Sequence, residues 1–260
     1  MKIGVIGCGN LGTSLLKGLL KAGFKGENII ASDLDERKLE ELQKLGIEVT
    51  KDNNKTASDS DVIFLAVKPD IVGDVLEKAE IPKDKLLVSA AAGVSTDFLE
   101  DHTNARTIRI MPNICVGVAE MASCFTLGKR ATEKDEEFVK SLLESLGTTF
   151  KVEEKLMNAV TGLSGSGPAY VYLVVEGLKE AGKELGLSEE TALKLAAQTV
   201  KGSGEMVLNS GKDLKELIDM VCSPKGTTIE GIKVLKDRKV SEAFKKAVKA
   251  ATKRSEELSK

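Results

Sequence analysis

The segment TGLSGSGPAYVY, residues 161–172, constrains this chain more than any other stretch. Gly162, Gly165, Gly167 and Ala169 are small, and Pro168 stands where a helix would begin. Small residues let backbones approach closely, and proline in the first helical turn is preorganised for the helix. The residues that follow, AYVYLVV, are apolar around nearly the whole helix surface. Such a helix has to be covered on all sides. In a chain of 260 residues that places it in the middle of an α-helical domain, or in a helix shared between subunits.

The first half of the chain alternates. KIGVIG, ENIIASD, IEVT, DVIFLAV, KLLVSAA, TIRIMP and TTFKV read as strands. NLGTSLLKGLLKAG, DERKLEELQKLG, PDIVGDVLEKAE and TEKDEEFVKSLLESLG read as helices between them. Apolar runs without polar alternation imply strands buried on both faces, as in a parallel sheet with right-handed crossovers. From Glu153 the pattern turns helical, over 153–160, 168–185, 188–208, 213–220, 228–237 and from Ser241 to the end. Ser188 and Ser241 are the expected N-caps, and Gly186 and Gly211 the expected stops. The expected fold is α/β: a Rossmann-like doubly wound sheet domain over 1–152, followed by an all-α domain over 153–260.

Composition excludes several classes. Net charge is −2, with acids and bases interspersed, so no basic face speaks for nucleic acid or a membrane surface. No apolar run approaches the roughly 18–20 residues of a membrane span. The opening MKIGVIGCGN runs straight into a strand and leaves no room for a leader, so a cytoplasmic location is expected. Cys8, Cys115, Cys124 and Cys222 lack C-x-x-C spacing and a neighbouring histidine. We therefore expect reduced, buried thiols and no metal site. His102 is the only histidine and lies in the polar stretch EDHTNA, so a histidine-based triad is not expected.

Gly7-Cys8-Gly9-Asn10-Leu11-Gly12 follows a strand and opens a helix, the setting that a dinucleotide fingerprint requires. Gly7 makes the turn, Gly9 admits a pyrophosphate close to the backbone, and Gly12 lets helix and strand pack. Asp33 falls near the end of the second strand, close to the spacing of a ribose 2′-hydroxyl partner. An acid there favours NAD over NADP, but Ser32 and Arg37 flank it, and Asp33 reads nearly as well as a helix cap or turn residue.

Four segments, in order, resemble pyrroline-5-carboxylate reductases: GCGNLG at 7–12, AVKP at 66–69, TGLSGSGPAY at 161–170 and SPKGTTIEG at 223–231. The resemblance spans essentially the whole chain and implies reduction of L-1-pyrroline-5-carboxylate to L-proline by hydride transfer from NADPH or NADH. It implies that Asn53 lies near the adenosine ribose and that Ala66, Val67, Lys68 and Pro69 run along the ribose and diphosphate. The small residues ending the next strand, Ala92 among them, leave room for the nicotinamide ring. Asn113, in RIMPN, either fixes the carboxamide or caps a turn. The loop before the helix at 228 grips the substrate carboxylate through Gly226, Thr227 and Thr228, with Thr228 also the candidate catalytic group. Lys225 stands where the family usually has a small residue, often Gly. The family further implies a helical dimerisation domain, a homodimer with its site between subunits, and in some members a ring of dimers.

With one histidine and no paired acids, no strong general acid is evident. Either the imine enters protonated, or Thr228 and water relay the proton. Two alternatives remain: another dehydrogenase or imine reductase of the same domain plan, and a non-enzymatic nucleotide-sensing module. A β-hydroxyacid dehydrogenase would need a lysine on the helix after the domain junction, and residues 161–172 contain none.

Overall fold

The computed structural model describes residues 1–258. The apolar runs form strands β1 (Ile3–Ile6), β2 (Ile29–Ser32), β3 (Glu48–Thr50), β4 (Val62–Leu65), β5 (Leu86–Ser89), β6 (Arg106–Met111), β7 (Met121–Leu127) and β8 (Gly147–Lys151). They make one sheet in the order β3-β2-β1-β4-β5-β6-β7-β8. The pairs from β3 to β6 are all parallel. The pair β6–β7 is antiparallel, a departure at one place from the parallel pairing that the apolar runs imply. Its cause is the link over residues 112–120, too short for a crossover, so the chain has to turn back. β8 then pairs parallel with β7 after a helical crossover.

Alternate residues of the central strands feed two cores, one on each sheet face. Helices α1 (Asn10–Lys21), α2 (Glu36–Gln43) and α6 (Glu133–Glu144) share a core with Ile3, Val5, Phe64 and Val88. Helices α3 (Asn53–Asp59), α4 (Val72–Lys78) and α5 (Thr96–His102) bring Ala57, Val72, Leu76 and Leu99 onto Ile6, Ile63, Leu65 and Leu87. The sheet is therefore doubly wound. Helices α3 and α5 escape a periodicity reading, because each is seven residues long and mostly polar.

The second half continues with α7 (Met157–Val160), a π-type turn at Thr161–Gly165, α8 (Gly167–Glu184), α9 (Glu189–Asn209), α10 (Leu214–Val221), α11 (Thr227–Asp237) and α12 (Val240–Leu258). Ser188 caps α9 by accepting the Thr191 N–H. Ser241, expected as a cap, lies inside α12. The chain turns at Lys239 with φ +53°, and the Lys239 carbonyl already accepts N–H groups from Glu242 and Ala243. No described helix is long and apolar enough to cross a membrane.

The contacts divide the chain into two compact units: Met1–Ser166 with the residues from Val248 onward, and Gly167–Ala247. Residues 153–166 thus pack with the sheet, although their sequence pattern is helical. Gly162 explains part of this. A β-carbon there would stand 2.7 Å from the Val248 carbonyl oxygen and 2.8 Å from the Thr252 nitrogen, so only glycine lets α12 come this close. Ser255 Oγ donates to Asn158 Oδ1 at 2.8 Å along the same contact.

The unit 167–247 has almost no interior of its own. Only Ala192 and Ala196 are buried in it, where α8 and α9 pack together. Helix α8 has no buried residue, and its Tyr172 and Leu173 are 60% and 67% exposed. A single chain therefore does not cover the helix that its sequence marks for burial on all sides.

Candidate functional site

Strand order reverses between β1 and β4, and ligand crevices in such sheets open at the carboxyl ends of the strands at that reversal. The glycine loop sits there. Gly7 leaves β1 at φ +97°, a conformation that side chains resist, and its N–H donates to the Ser32 carbonyl at 2.8 Å. A β-carbon on Gly7 would stand 2.7 Å from Val67 Cγ1 and 2.9 Å from the Ala66 carbonyl. One on Gly12 would collide with the Gly7 carbonyl oxygen. One on Gly9 would meet nothing within 4 Å. Gly7 and Gly12 are thus required by the fold itself, whereas Gly9 faces open space.

Gly9 is also the N-cap residue of α1. No side chain caps this end, and no acid stands in the first turn, which begins with Asn10 and Leu11. Among the described residues no side chain takes these first amides, and the helix end is positive, as an anion site needs. Cys8 is buried beside the loop. Burial, and next the Asp33 carboxylate, push its thiol up to about 12, so it stays neutral and serves as packing. Cys115, Cys124 and Cys222 are free and only half-buried, which corrects the expectation of burial for all four.

A cavity of about 450 Å³ opens from Gly7 along the ends of β1, β2 and β4. Ser32, Asp33, Leu34, Asn53, Val67, Asp74 and Lys78 are among its walls. Asp33 Oδ2 accepts the Cys8 N–H at 2.7 Å, and Oδ1 accepts the Asp35 N–H at 2.9 Å. The cap of α2 is Asp35, not Asp33. Ser32 Oγ donates to Asn53 Oδ1 at 2.7 Å, which fixes the start of α3 against the end of β2.

Lys68 is exposed, and Pro69 starts a short 3₁₀ turn that leads into α4. Ala92 and Asn113 follow β5 and β6 on the same carboxyl edge but do not line this cavity. Asn113 caps the turn after β6 by accepting the Cys115 N–H at 3.2 Å, and its Nδ2 donates to the Ser164 carbonyl at 3.2 Å. The capping alternative therefore describes Asn113 in this structure. His102 ends α5, where its Nδ1 lies 2.8 Å from the Phe98 carbonyl and its ring stacks on Phe98.

Sequence reasoning missed Arg109. It is 2% exposed on β6, between the core residues Ile108 and Ile110, and pairs with Glu154 at the start of the chain's helical half. Thr96 Oγ1 also donates to Glu154, at 3.0 Å. Arg109 Nε and Nη2 are buried without a partner among the described residues. The signal was present in TIRIMP, because a charge inside an apolar strand demands a buried counter-ion.

In the helical unit, Ser223-Pro224-Lys225-Gly226 forms a turn closed by the Gly226 N–H to the Ser223 carbonyl at 2.9 Å. Lys225 sits at φ +61°. Proline in the second place and positive φ in the third is the type II pattern, which favours glycine where Lys225 stands. Gly226 caps α11 without a side-chain bond, so Thr227 and Thr228 occupy the first turn and neither acts as its cap. Thr228 also borders an open, apolar depression with Gly231, Ile232, Val234 and Leu235.

The Arg109 pair makes a stability prediction. Glu154→Ala leaves a buried guanidinium without its acceptor and should cost about 3 kcal/mol, read from chemical denaturation. A variant as stable as wild type would show that water or another group already carries that charge.

Comparison with known proteins agrees along the whole chain. A family model described as pyrroline-5-carboxylate reductase dimerisation matches residues 154–258, and one described as NADP oxidoreductase coenzyme F420-dependent matches residues 2–93. The pyrroline-5-carboxylate reductase of Methanosarcina acetivorans is 46% identical, covering 100% of this chain and 98% of its own. That of Pisum sativum is 40% identical, covering 99% and 96%. The crystal structure of Plasmodium falciparum pyrroline carboxylate reductase with NADP bound superposes with a TM-score of 0.92 at 32% identity, covering 100% and 98%. With a glycine loop at the strand reversal and relatives aligned from end to end, this chain belongs to the pyrroline-5-carboxylate reductase family.

Proposed function

We propose that the protein is an NAD(P)H-dependent pyrroline-5-carboxylate reductase acting as a homodimer. It converts L-1-pyrroline-5-carboxylate to L-proline: C5 of the cyclic imine gains a hydride and the ring nitrogen gains a proton. The observation that carries the reading is the open, uncapped helix start at Gly9, set between two glycines, Gly7 and Gly12, that the fold itself requires. End-to-end similarity to reductases of this name supports it.

The amides at the start of α1, from Gly9 to Gly12, hold the diphosphate of a nicotinamide dinucleotide, with Gly7, Cys8 and Leu11 as the packing beneath it and Asn10 beside it. Asp33 and Asn53 face the adenosine ribose. Ala66, Val67, Lys68 and Pro69 flank the other wall. Ala92 leaves room for the nicotinamide ring, and Asn113 fixes the turn beside it. The reduced dinucleotide, when bound, supplies the hydride.

The substrate carboxylate is held by amides at the start of α11, from Gly226, Thr227 and Thr228, and by the Thr228 hydroxyl. The single histidine is tied to its own helix, so the imine either enters protonated or takes its proton through Thr228 and water. Residues 153–260 serve as the dimerisation and substrate region, and residues 1–152 as the dinucleotide region. The near absence of buried residues in 167–247 is what a second copy remedies.

The direct test is oxidation of NADH and of NADPH in the presence of pyrroline-5-carboxylate, with proline as product. Dinucleotide binding without turnover would instead favour a sensing module. Two substitutions test the parts. Val174→Asp puts an unpaired charge on the face of α8 that a partner covers and should cost several kcal/mol. The protein should become monomeric or aggregated, and inactive. A stable, active monomer by light scattering would refute the shared helix. Thr228→Ala keeps the helix amides and should lower kcat/KM about ten- to a hundredfold, as for a lost hydrogen bond to a charged group. A loss confined to KM means that the hydroxyl only orients the carboxylate. A fall in kcat that steepens at high pH, where protonated imine is scarce, means that it relays the proton. Kinetics equal to wild type at every pH would remove Thr228 from the mechanism.

A further inference from the structure

The cavity beside the glycine loop carries a distinct charge pattern. Its far end is walled by Ser32, Asp33, Asn53, Asp74 and Lys78. The Asp33 carboxylate is held by two backbone N–H groups, at 2.7 Å from Cys8 and 2.9 Å from Asp35. It is pinned at the ends of β1 and β2 and does not swing away with its loop. A carboxylate accepts about four hydrogen bonds, so its oxygens keep lone pairs for a pair of ribose hydroxyls.

A phosphate at the same place would need cations or free donors. Arg37 is turned to Asp35, with Nε 3.6 Å from Oδ1, and is otherwise in solvent. Lys38 lies 3.6 Å from Asp33 Oδ1 and is not part of the cavity wall. Lys78 is the one cation on the wall, and Asp74 stands one turn before it on α4. The Ser32 hydroxyl proton is committed to Asn53. The wall itself holds two acids against one base, with Lys38 beside Asp33 and outside the cavity lining.

From this geometry we infer that Asp33 makes the site select a dinucleotide whose adenosine ribose carries a free 2′-hydroxyl, and reject one that carries a 2′-phosphate. The protein thus uses NADH in preference to NADPH. Asp33 accepts hydrogen bonds from the ribose hydroxyls. Against a 2′-phosphate it presents a fixed like charge, in a cleft that screens poorly.

The inference rests on the dinucleotide site proposed above, and the experiment separates the two. Calorimetry on the intact protein measures the binding of NAD⁺ and of NADP⁺, without turnover. Wild type should bind NAD⁺ about tenfold or more tightly than NADP⁺, the scale set by a like charge in contact. The preference should shrink at high salt. Asp33→Asn removes the charge and keeps an oxygen for the Cys8 N–H. It should bring the two affinities within a few-fold, mainly by strengthening NADP⁺. AMP and adenosine 2′,5′-bisphosphate, as competitors against wild type, should show the same order and need no variant. Equal or tighter binding of NADP⁺ by wild type overturns the inference and leaves the dinucleotide site standing. An unchanged preference in a folded Asp33→Asn variant overturns the role of Asp33. Binding of neither dinucleotide overturns the site and this inference together.

Discussion

The carbonyl oxygen of Gly7 lies where a β-carbon on residue 12 would stand, and the rest of the dinucleotide half depends on that contact. It sets helix α1 directly against the end of β1. Gly7 in turn leaves no room between itself and Ala66–Val67 at the end of β4. β1 and β4 pair in register along their length, and beyond their carboxyl ends the chain leaves them toward opposite halves of the sheet. The first amides of α1 therefore point into the opening between them. The cavity along β2 and α4 is the continuation of that opening. Substrate chemistry does not need a strong acid in this half, because its task is to hold a hydride donor in place. Orientation of that kind accounts for a large part of enzymatic rate enhancement.

The helical half follows a different physics. Its sequence is rich in apolar residues, yet residues 167–247 bury almost none of them within one chain. Apolar area left open on this scale marks a surface for another protein. The turn before α11 belongs to the same unit and holds Lys225 in a left-handed conformation that glycine would adopt freely. Backbone strain of that kind, roughly 1 kcal/mol or more, persists where surrounding structure fixes the turn. The turn ends at Gly226, which leaves the first amides of α11 without a side-chain cap.

Much of this was legible in the sequence. DVIFLAV and KLLVSAA have no polar alternation, and both became strands buried on both faces. The glycine loop was legible from its place between a strand and a helix. Direction was not legible for ASCFTLG, because apolar content does not encode strand polarity, and the short link before it decides the matter. NNKTASD gave no helical signal, since only Thr56 and Ala57 face the core. Residues 153–166 looked like part of the helical unit, but glycine contacts that are invisible to periodicity tie them to α12 and Met111. The Arg109–Glu154 pair is a long-range contact, and one sequence alone does not specify such partners. For Asp33, spacing left two uses open. Only the structure gives the helix cap to Asp35 and shows Asp33 both closing the turn before it and bordering the cavity.

We propose that the space at Gly9 is kept for a dinucleotide diphosphate. Gly9 has extended backbone angles that any residue adopts, and a β-carbon there touches nothing in the folded chain. Valine at this position is therefore compatible with the fold and incompatible with a diphosphate against the amides. The decisive measurement is calorimetric binding of NADH and NADPH to Gly9→Val, with circular dichroism and thermal unfolding as the control. The variant should keep a melting temperature close to wild type and bind with an affinity weakened about a hundredfold or more, the scale of losing several charge-assisted hydrogen bonds. Dinucleotide affinity equal to wild type in a folded variant would contradict this role for Gly9.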